Sequence, residues 1–361
     1  MARTSTFARN VTPIALAWAA IAAPVNAQTS EELAATVAPE AESGAYMGAA
    51  LVAKGDEVIL DQAWGEADLE WDIANTTDTK FRIGSVTKQF TAVSILLLQE
   101  RGLLTLDDPI SMHLKDTPET WAGITVRHIL RHTAGLPNIT QLAIFRDVSR
   151  DPVSKDEVIG LFRDLPLEFE PGSSWKYSNS GYILASKVVE NVSRKTLADF
   201  YQSNIFDKLG MADTGLDVSA TILPKRAAGY SPDVDDSGVV NADYVDMGAP
   251  SGAGAMYSTT GDLLKWQRGL FGGKVISQES LAQYVTPGPY DAYDGGRYAL
   301  GISVFFKDGN TVYAHAGGIK GFNAWLGYDP EREITVAVLA NLNGGAARKL
   351  GPQLMEQTRG Q

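Results

Sequence analysis

The chain has 361 residues, enough for a large core in one elaborate domain or two lobes. Its 44% hydrophobic and 20% charged residues are those of a soluble globular protein, and a formal net charge of −12 argues against nucleic acid or an anionic membrane surface as partner. With no cysteine, disulfides and thiolate metal sites are excluded.

The N-terminus reads as an export signal. Arg3 and Arg9 precede an apolar run over residues 14–23, and Val25-Asn-Ala27 offers a small-residue cleavage site. Cleavage after Ala27 would leave a periplasmic or secreted protein beginning at Gln28. Residues 1–27 carry two arginines and no acid, so the mature chain would be more acidic still. No cysteine follows the apolar run and no later stretch looks like a lasting membrane span, so no stable membrane anchor is expected.

Strand-like runs at 48–54 and 57–65 meet at Gly55-Asp56, a Gly-first hairpin connection. The stretch 81–102 follows. From Val86 it predicts a helix, with Val86, Phe90, Val93 and Leu97 at helical spacing and Ala92, Ile95 and Leu96 filling the next face. Apolar surface on so many sides implies a buried helix, and Gly102 is a suitable residue to stop it. Residues 103–256 read as helices and long loops, with helices expected at 126–131 behind a Thr125 cap, 181–192 and 196–209 and an acidic surface loop at 233–246, and a further helix follows at 260–270. Strands return at 298–306, 311–316, 322–328 and 334–339, and residues 346–357 form a closing helix. The pattern implies an α/β (α+β) fold, in which one antiparallel sheet is built from both chain ends and flanked by helices. Residues 28–102 and 257–361 would form the sheet lobe, and 103–256 an inserted all-helical lobe.

Ser85-Val-Thr-Lys88 opens the buried helix. Three residues apart, the two side chains share a face, and a lysine whose pKa is lowered by burial can take the proton from a serine nucleophile. The helix N-terminus also favours negative charge developing nearby. The plainer alternative is a serine cap followed by a solvated lysine. A second copy, Ser173-Ser-Trp-Lys176, shows that the motif alone does not decide.

Two other stretches bear on chemistry. Tyr177-Ser-Asn179 lies in a polar loop before a helix and offers a phenol that can relay a proton and an amide that can both donate and accept. His315-Ala-Gly317 lies on a strand and runs into Gly318, where glycines permit close approach of a ligand or another backbone. Taken singly, each is as readily an ordinary loop or hairpin.

The order and spacing of the three together resemble the group of serine hydrolases that contains class C β-lactamases, D,D-peptidases, D-aminopeptidases and a family of carboxylesterases. S-x-x-K is matched at Ser85-Val-Thr-Lys88, Y-x-N at Tyr177-Ser-Asn179, and the K-T-G or H-x-G element at His315-Ala-Gly317. Gly102-Leu-Leu-Thr-Leu-Asp-Asp-Pro109, His132-Thr-Ala-Gly-Leu136 and Ser251-Gly-Ala-Gly-Ala-Met256 match as well, so the resemblance covers roughly the whole mature chain. It implies Ser85 as acyl-forming nucleophile, Lys88 as its proton partner and Tyr177 as base or relay. Asn179, His315 and Gly317 would bind substrate, with an oxyanion hole from the backbone N–H groups of Ser85 and Gly318. No cofactor or metal is implied.

The strand triplet departs from the Lys-Thr-Gly usual in class C β-lactamases. Ala316 has no donor for a substrate carboxylate, which favours esters, amides or D-amino-acid peptides over antibiotics. The absence of G-x-S-x-G disfavours an α/β-hydrolase. His128 and His132 have the spacing of a metal pair, but Ile129 stands where a metalloprotease needs Glu. Residues 248–254 are glycine-rich without the Lys-Ser/Thr of a phosphate loop. The expected activity is an exported serine hydrolase for small ester, amide or peptide substrates. The alternatives are a D,D-peptidase or weak β-lactamase, and a non-catalytic binding or scaffold protein of the same fold. The sequence leaves the oligomeric state open.

Overall fold

The computed structural model describes residue 1 and residues 29–360 except 234, 236, 237, 293, 294 and 308. Residues 2–27 of the expected signal segment lie outside the described residues.

Seven strands form one antiparallel sheet: β1 (Gly48–Lys54), β2 (Glu57–Trp64), β3 (Arg297–Tyr298), β4 (Ser303–Lys307), β5 (Asn310–Ile319), β6 (Phe322–Asp329) and β7 (Ile334–Ala340). Their order is β3-β4-β5-β6-β7-β1-β2, so the two chain ends meet at the β1–β7 ladder, with Gly48 opposite Ala340 and Lys54 opposite Ile334. Both chain ends build the sheet as the sequence implies, but the single strand expected at 298–306 is two, β3 and β4, which turn back on each other with Tyr298 opposite Ser303 and Gly301 at φ +81° in the turn. Every residue of β7 is buried, because the ladder lies inside the sheet with helices on both faces. Along β7, Val336, Val338 and Ala340 point to one core, and Ala337 and Leu339 to the other.

The first core is closed by α1 (Ser30–Glu42) and the C-terminal helix Ala346–Arg359, through Leu33, Val37, Leu350 and Leu354. Helix α1 was not expected. Its buried stripe is only Leu33 and Val37, and its start is fixed by a capping box between Thr29 and Glu32.

Behind the other face runs α2 (Thr87–Glu100), in which every residue from Thr87 to Leu98 is buried. Each large apolar side chain so enclosed contributes roughly 1.5–3 kcal/mol, and Phe90 adds a stack on Trp266 with ring centroids 4.1 Å apart. Around α2 lie α3 (Val126–Arg131), α4 (Ala143–Val148), α5 (Lys155–Arg163), α6 (Asn179–Ser193), α7 (Leu197–Tyr201) and, further along the chain, Thr260–Phe271 and Gln278–Val285. Helix α6 begins two residues earlier than the sequence predicts, which puts Asn179 in its first turn.

Residues 103–256 hold helices joined by long loops and also contain short strands. Tyr230–Pro232 pairs with Val239–Asn241, inside the segment expected to be an acidic loop. Met256–Ser258 lies between Phe81–Arg82 and Gly215–Leu216 in a small three-stranded sheet. That sheet anchors the start of α2, because Ile83 N–H donates to Met256 O at 2.9 Å.

Candidate active site

Ser85 sits in a 3₁₀ turn, Gly84–Val86, that feeds directly into α2. No side-chain cap bond forms there, which removes the plainer alternative of a serine cap. The tight turn leaves Oγ free for other partners. Gly84 adopts φ +49°, and a side chain on it would sit 2.6 Å from the Gly318 nitrogen. A side chain on Gly317 would lie 1.9 Å from Ile83 O and 3.2 Å from Ser85 N. Glycine at both positions lets β5 press against the turn, bringing the backbone of Gly318 beside that of Ser85.

Lys88 is wholly buried. Its Nζ donates to Ser85 Oγ (3.0 Å), Asn179 Oδ1 (2.8 Å) and Ala253 O (2.7 Å). Among the described residues no carboxylate forms an ion pair with it, and burial pushes its pKa well below the ordinary lysine value. An uncharged amine has two N–H groups and a lone pair. It can donate to Asn179 and Ala253 while accepting the proton of Ser85.

The Tyr177 hydroxyl donates to Ser85 Oγ at 2.9 Å, so the serine oxygen lies between a phenol and an amine. The tyrosine is backed by His132, whose ring lies 4.3 Å away. His132 is buried, accepts the Ser178 N–H on Nδ1 at 3.2 Å, and is held neutral by desolvation and then by the nearby Lys88. Asn179 is fixed from below. Its backbone N–H and its Nδ2 donate to Asn138 Oδ1 at 3.0 and 3.3 Å, and Nδ2 also reaches Thr140 Oγ1 at 3.1 Å. This fixes the amide orientation, with Oδ1 toward Lys88.

The sequence singled out neither Asn138 nor Thr140. The only signal was the polar stretch following His132-Thr-Ala-Gly-Leu136, which itself matched the family.

A cleft of about 700 Å³ opens onto Ser85, Asn179 and Gly318, with Leu142, Phe145 and Ile183 among its apolar walls. His315 does not line it. Its Nε2 lies 2.8 Å from Tyr298 OH and its Nδ1 2.7 Å from Ala316 O, and it faces a separate cavity of about 190 Å³. Burial first, and the proximity of Lys88 second, lower its pKa to about 3, so it is neutral at physiological pH. Its ring centroid is 6.4 Å from that of Tyr177, which makes it a support behind the tyrosine.

The second S-x-x-K copy is a surface feature. Ser173 Oγ donates to Glu170 O, and Lys176 pairs with Glu168 at 2.6 Å. His128 caps α3 through Thr125 while His132 packs on Tyr177, and no cluster suited to a metal ion occurs among the described residues.

A serine between a buried lysine and a tyrosine, in the turn that opens a helix and beside strand β5, defines a serine hydrolase of β-lactamase fold. The chain matches the Beta-lactamase family over residues 33–359 and belongs to it. It is 28% identical over 314 residues to penicillin-binding protein 4* of Bacillus subtilis (strain 168), covering 83% of this chain and 69% of that one. The crystal structure of a penicillin binding protein from Bacillus halodurans is similar with a TM-score of 0.80 and 28% identity, covering 91% of this chain and 98% of that one. A D-stereospecific amidohydrolase from Streptomyces sp. is similar with a TM-score of 0.76 and 25% identity, covering 86% of this chain and 94% of that one.

Proposed function

We propose that this protein is an exported hydrolase that acts through an acyl-enzyme on Ser85, with carboxylic esters and D-amino-acid peptides or amides as substrates. The observation that carries this reading is the contact of Ser85 Oγ with both Lys88 Nζ (3.0 Å) and Tyr177 OH (2.9 Å), beside a lysine whose pKa burial lowers.

In this mechanism Ser85 Oγ attacks the substrate carbonyl as its proton passes to the lone pair of Lys88. The oxyanion accepts hydrogen bonds from the N–H groups of Ser85 and Gly318, and Asn179, at the cleft wall, borders the substrate amide. Tyr177 passes its hydroxyl proton to the leaving group, and the proton that Lys88 took from Ser85 restores the phenol, so both groups are neutral again. Water then attacks the ester on Ser85, the same groups acting in reverse, and the carboxylic acid leaves.

The preference for esters and D-amides is supported by the strand triplet. His315 is neutral and engaged with Tyr298 and Ala316 O, so it lends no charge to a penicillin carboxylate. The kinship with a D-stereospecific amidohydrolase supports the D-amide class. The arginines and apolar run before Ala27 support export; among the described residues no helix is long and apolar enough to cross a membrane.

The test is a panel of a short p-nitrophenyl ester, a D-amino-acid amide and a penicillin, assayed with wild type and Ser85→Ala. Turnover should fall by several orders of magnitude in the variant, and kcat/KM for the ester should exceed that for the penicillin by at least ~100-fold. Comparable values for ester and penicillin would overturn the substrate assignment, and full activity of Ser85→Ala would overturn the mechanism.

A further inference from the structure

The cleft at Ser85 carries charge of the opposite sign to the chain as a whole. The sequence has a net charge of −12, yet the lysines, arginines and carboxylates lining the cleft are Arg146, Arg150, Lys320 and Asp243. Three cations thus face one carboxylate. Lys320 Nζ engages that carboxylate directly, donating to Asp243 Oδ2 at 2.9 Å. Among the described residues the guanidinium groups of Arg146 and Arg150 form no ion pair or hydrogen bond, and both residues are exposed. Asp147 and Asp151, on the same segment, are not part of the cleft lining.

The two arginines act on one region of space. The carboxyl of Asp243 is held below its ordinary value first by the Lys320 hydrogen bond and charge, with Arg150 and Arg146 adding to the effect. Two like charges brought together at a cleft wall repel one another unless an anion lies between them. Guanidinium groups present a planar fork of donors that matches a carboxylate better than an ammonium does. Arg146 belongs to α4 and Arg150 to the turn after it, on a different element from the β5 triplet that faces the serine. Leu142 and Phe145 line the same wall, so it offers apolar contact and positive charge together.

Building on the serine-hydrolase reading above, we propose that Arg146 and Arg150 form a subsite for a carboxylate carried by the substrate away from its scissile carbonyl. The substrates this site selects are acidic esters, amides or D-peptides, with an apolar spacer between the reacting carbonyl and the carboxylate. Charge-assisted hydrogen bonds of this kind are stronger than neutral ones, and their exposed setting makes them sensitive to salt.

The test compares mono-p-nitrophenyl adipate with p-nitrophenyl hexanoate, which have the same chain length and differ by one terminal carboxylate. In wild type, kcat/KM should favour the adipate, and the ratio should fall as ionic strength is raised to about 0.5 M. In the double variant Arg146→Gln/Arg150→Gln the ratio should fall about tenfold or more, and Arg146→Lys/Arg150→Lys should recover part of it. A ratio that the glutamine pair leaves unmoved would overturn the subsite. Hydrolysis of neither ester by wild type would count against the hydrolase reading instead. The subsite is then judged by binding of mono-p-nitrophenyl adipate to the Ser85→Ala protein, where about tenfold weaker binding in the glutamine pair supports it and equal binding overturns it.

Discussion

Replacing Gly317 by alanine probes the contact on which the site depends. The new methyl group would sit 1.9 Å from Ile83 O and 3.2 Å from Ser85 N. Side-chain carbons essentially never approach other atoms more closely than 3.0 Å. Strand and turn must therefore separate by about 1 Å, and a misplacement of that size can cost about 10²-fold in rate. The same separation weakens the oxyanion contact from Gly318, and loss of one such donor costs about 10²–10³ in kcat, or ~2.7–4 kcal/mol. The expected loss is thus about 10²–10³-fold in kcat. Overpacking of this kind also destabilises by about 1–3 kcal/mol. The neighbouring residue provides a control, since a side chain on Gly318 meets nothing within 4 Å. Steady-state hydrolysis of a p-nitrophenyl ester gives kcat, and calorimetry gives the melting temperature. Gly317→Ala should melt a few degrees lower than wild type, and Gly318→Ala should melt with it. Wild-type kcat in Gly317→Ala, or an equal loss of stability in both variants, would refute the argument that β5 presses on the catalytic turn.

Three further outcomes follow from the charges and the leader. If the lone pair of Lys88 takes the serine proton, kcat/KM rises with pH as Lys88 deprotonates, and the rising limb lies well below the 10.5 of free lysine; a limb at or above that value would contradict it. The depressed pKa of His315 means that the unfolded chain binds a proton there which the folded chain refuses, so its contribution is lost as pH falls from 6.5 toward about 3. At pH 4 this amounts to on the order of 3 kcal/mol, and denaturant titrations of His315→Asn should show a flatter acid limb than wild type, an unchanged slope counting against the burial argument. Intact-mass analysis of protein recovered from the culture medium or periplasm should find Gln28 at the N-terminus, whereas a chain beginning at Met1 or Ala2 would disprove cleavage after Ala27.

The sheet was legible because its strands are contiguous runs of β-branched and apolar residues separated by turn chemistry, and the two ends pair as that pattern implies. The start of α2 was legible for a similar reason, since spacing fixes which side chains share a face. Helix α1 was not, because two buried residues in an acidic stretch give almost no periodic signal. Asn138 and Thr140 were equally hidden. Their role comes from hydrogen bonds to Asn179 across about 40 residues of chain, which no local pattern records. His315 shows the limit of strand parity. It lies two residues from Gly317 on β5 and shares its face, yet a step of about 6.6 Å along the strand takes it from the catalytic turn to the cavity beside Tyr298. The competing S-x-x-K at Ser173 could be set aside only once Lys176 was seen on the surface with Glu168.

The central claim is that Ser85 forms the acyl-enzyme. It is tested most directly by acid-quenching wild-type protein during hydrolysis of a p-nitrophenyl ester and mapping the acyl adduct by peptide mass spectrometry. The account predicts one acyl group per chain on Ser85 and none in Ser85→Ala. An adduct on Ser173, or acylation that persists in Ser85→Ala, would contradict it.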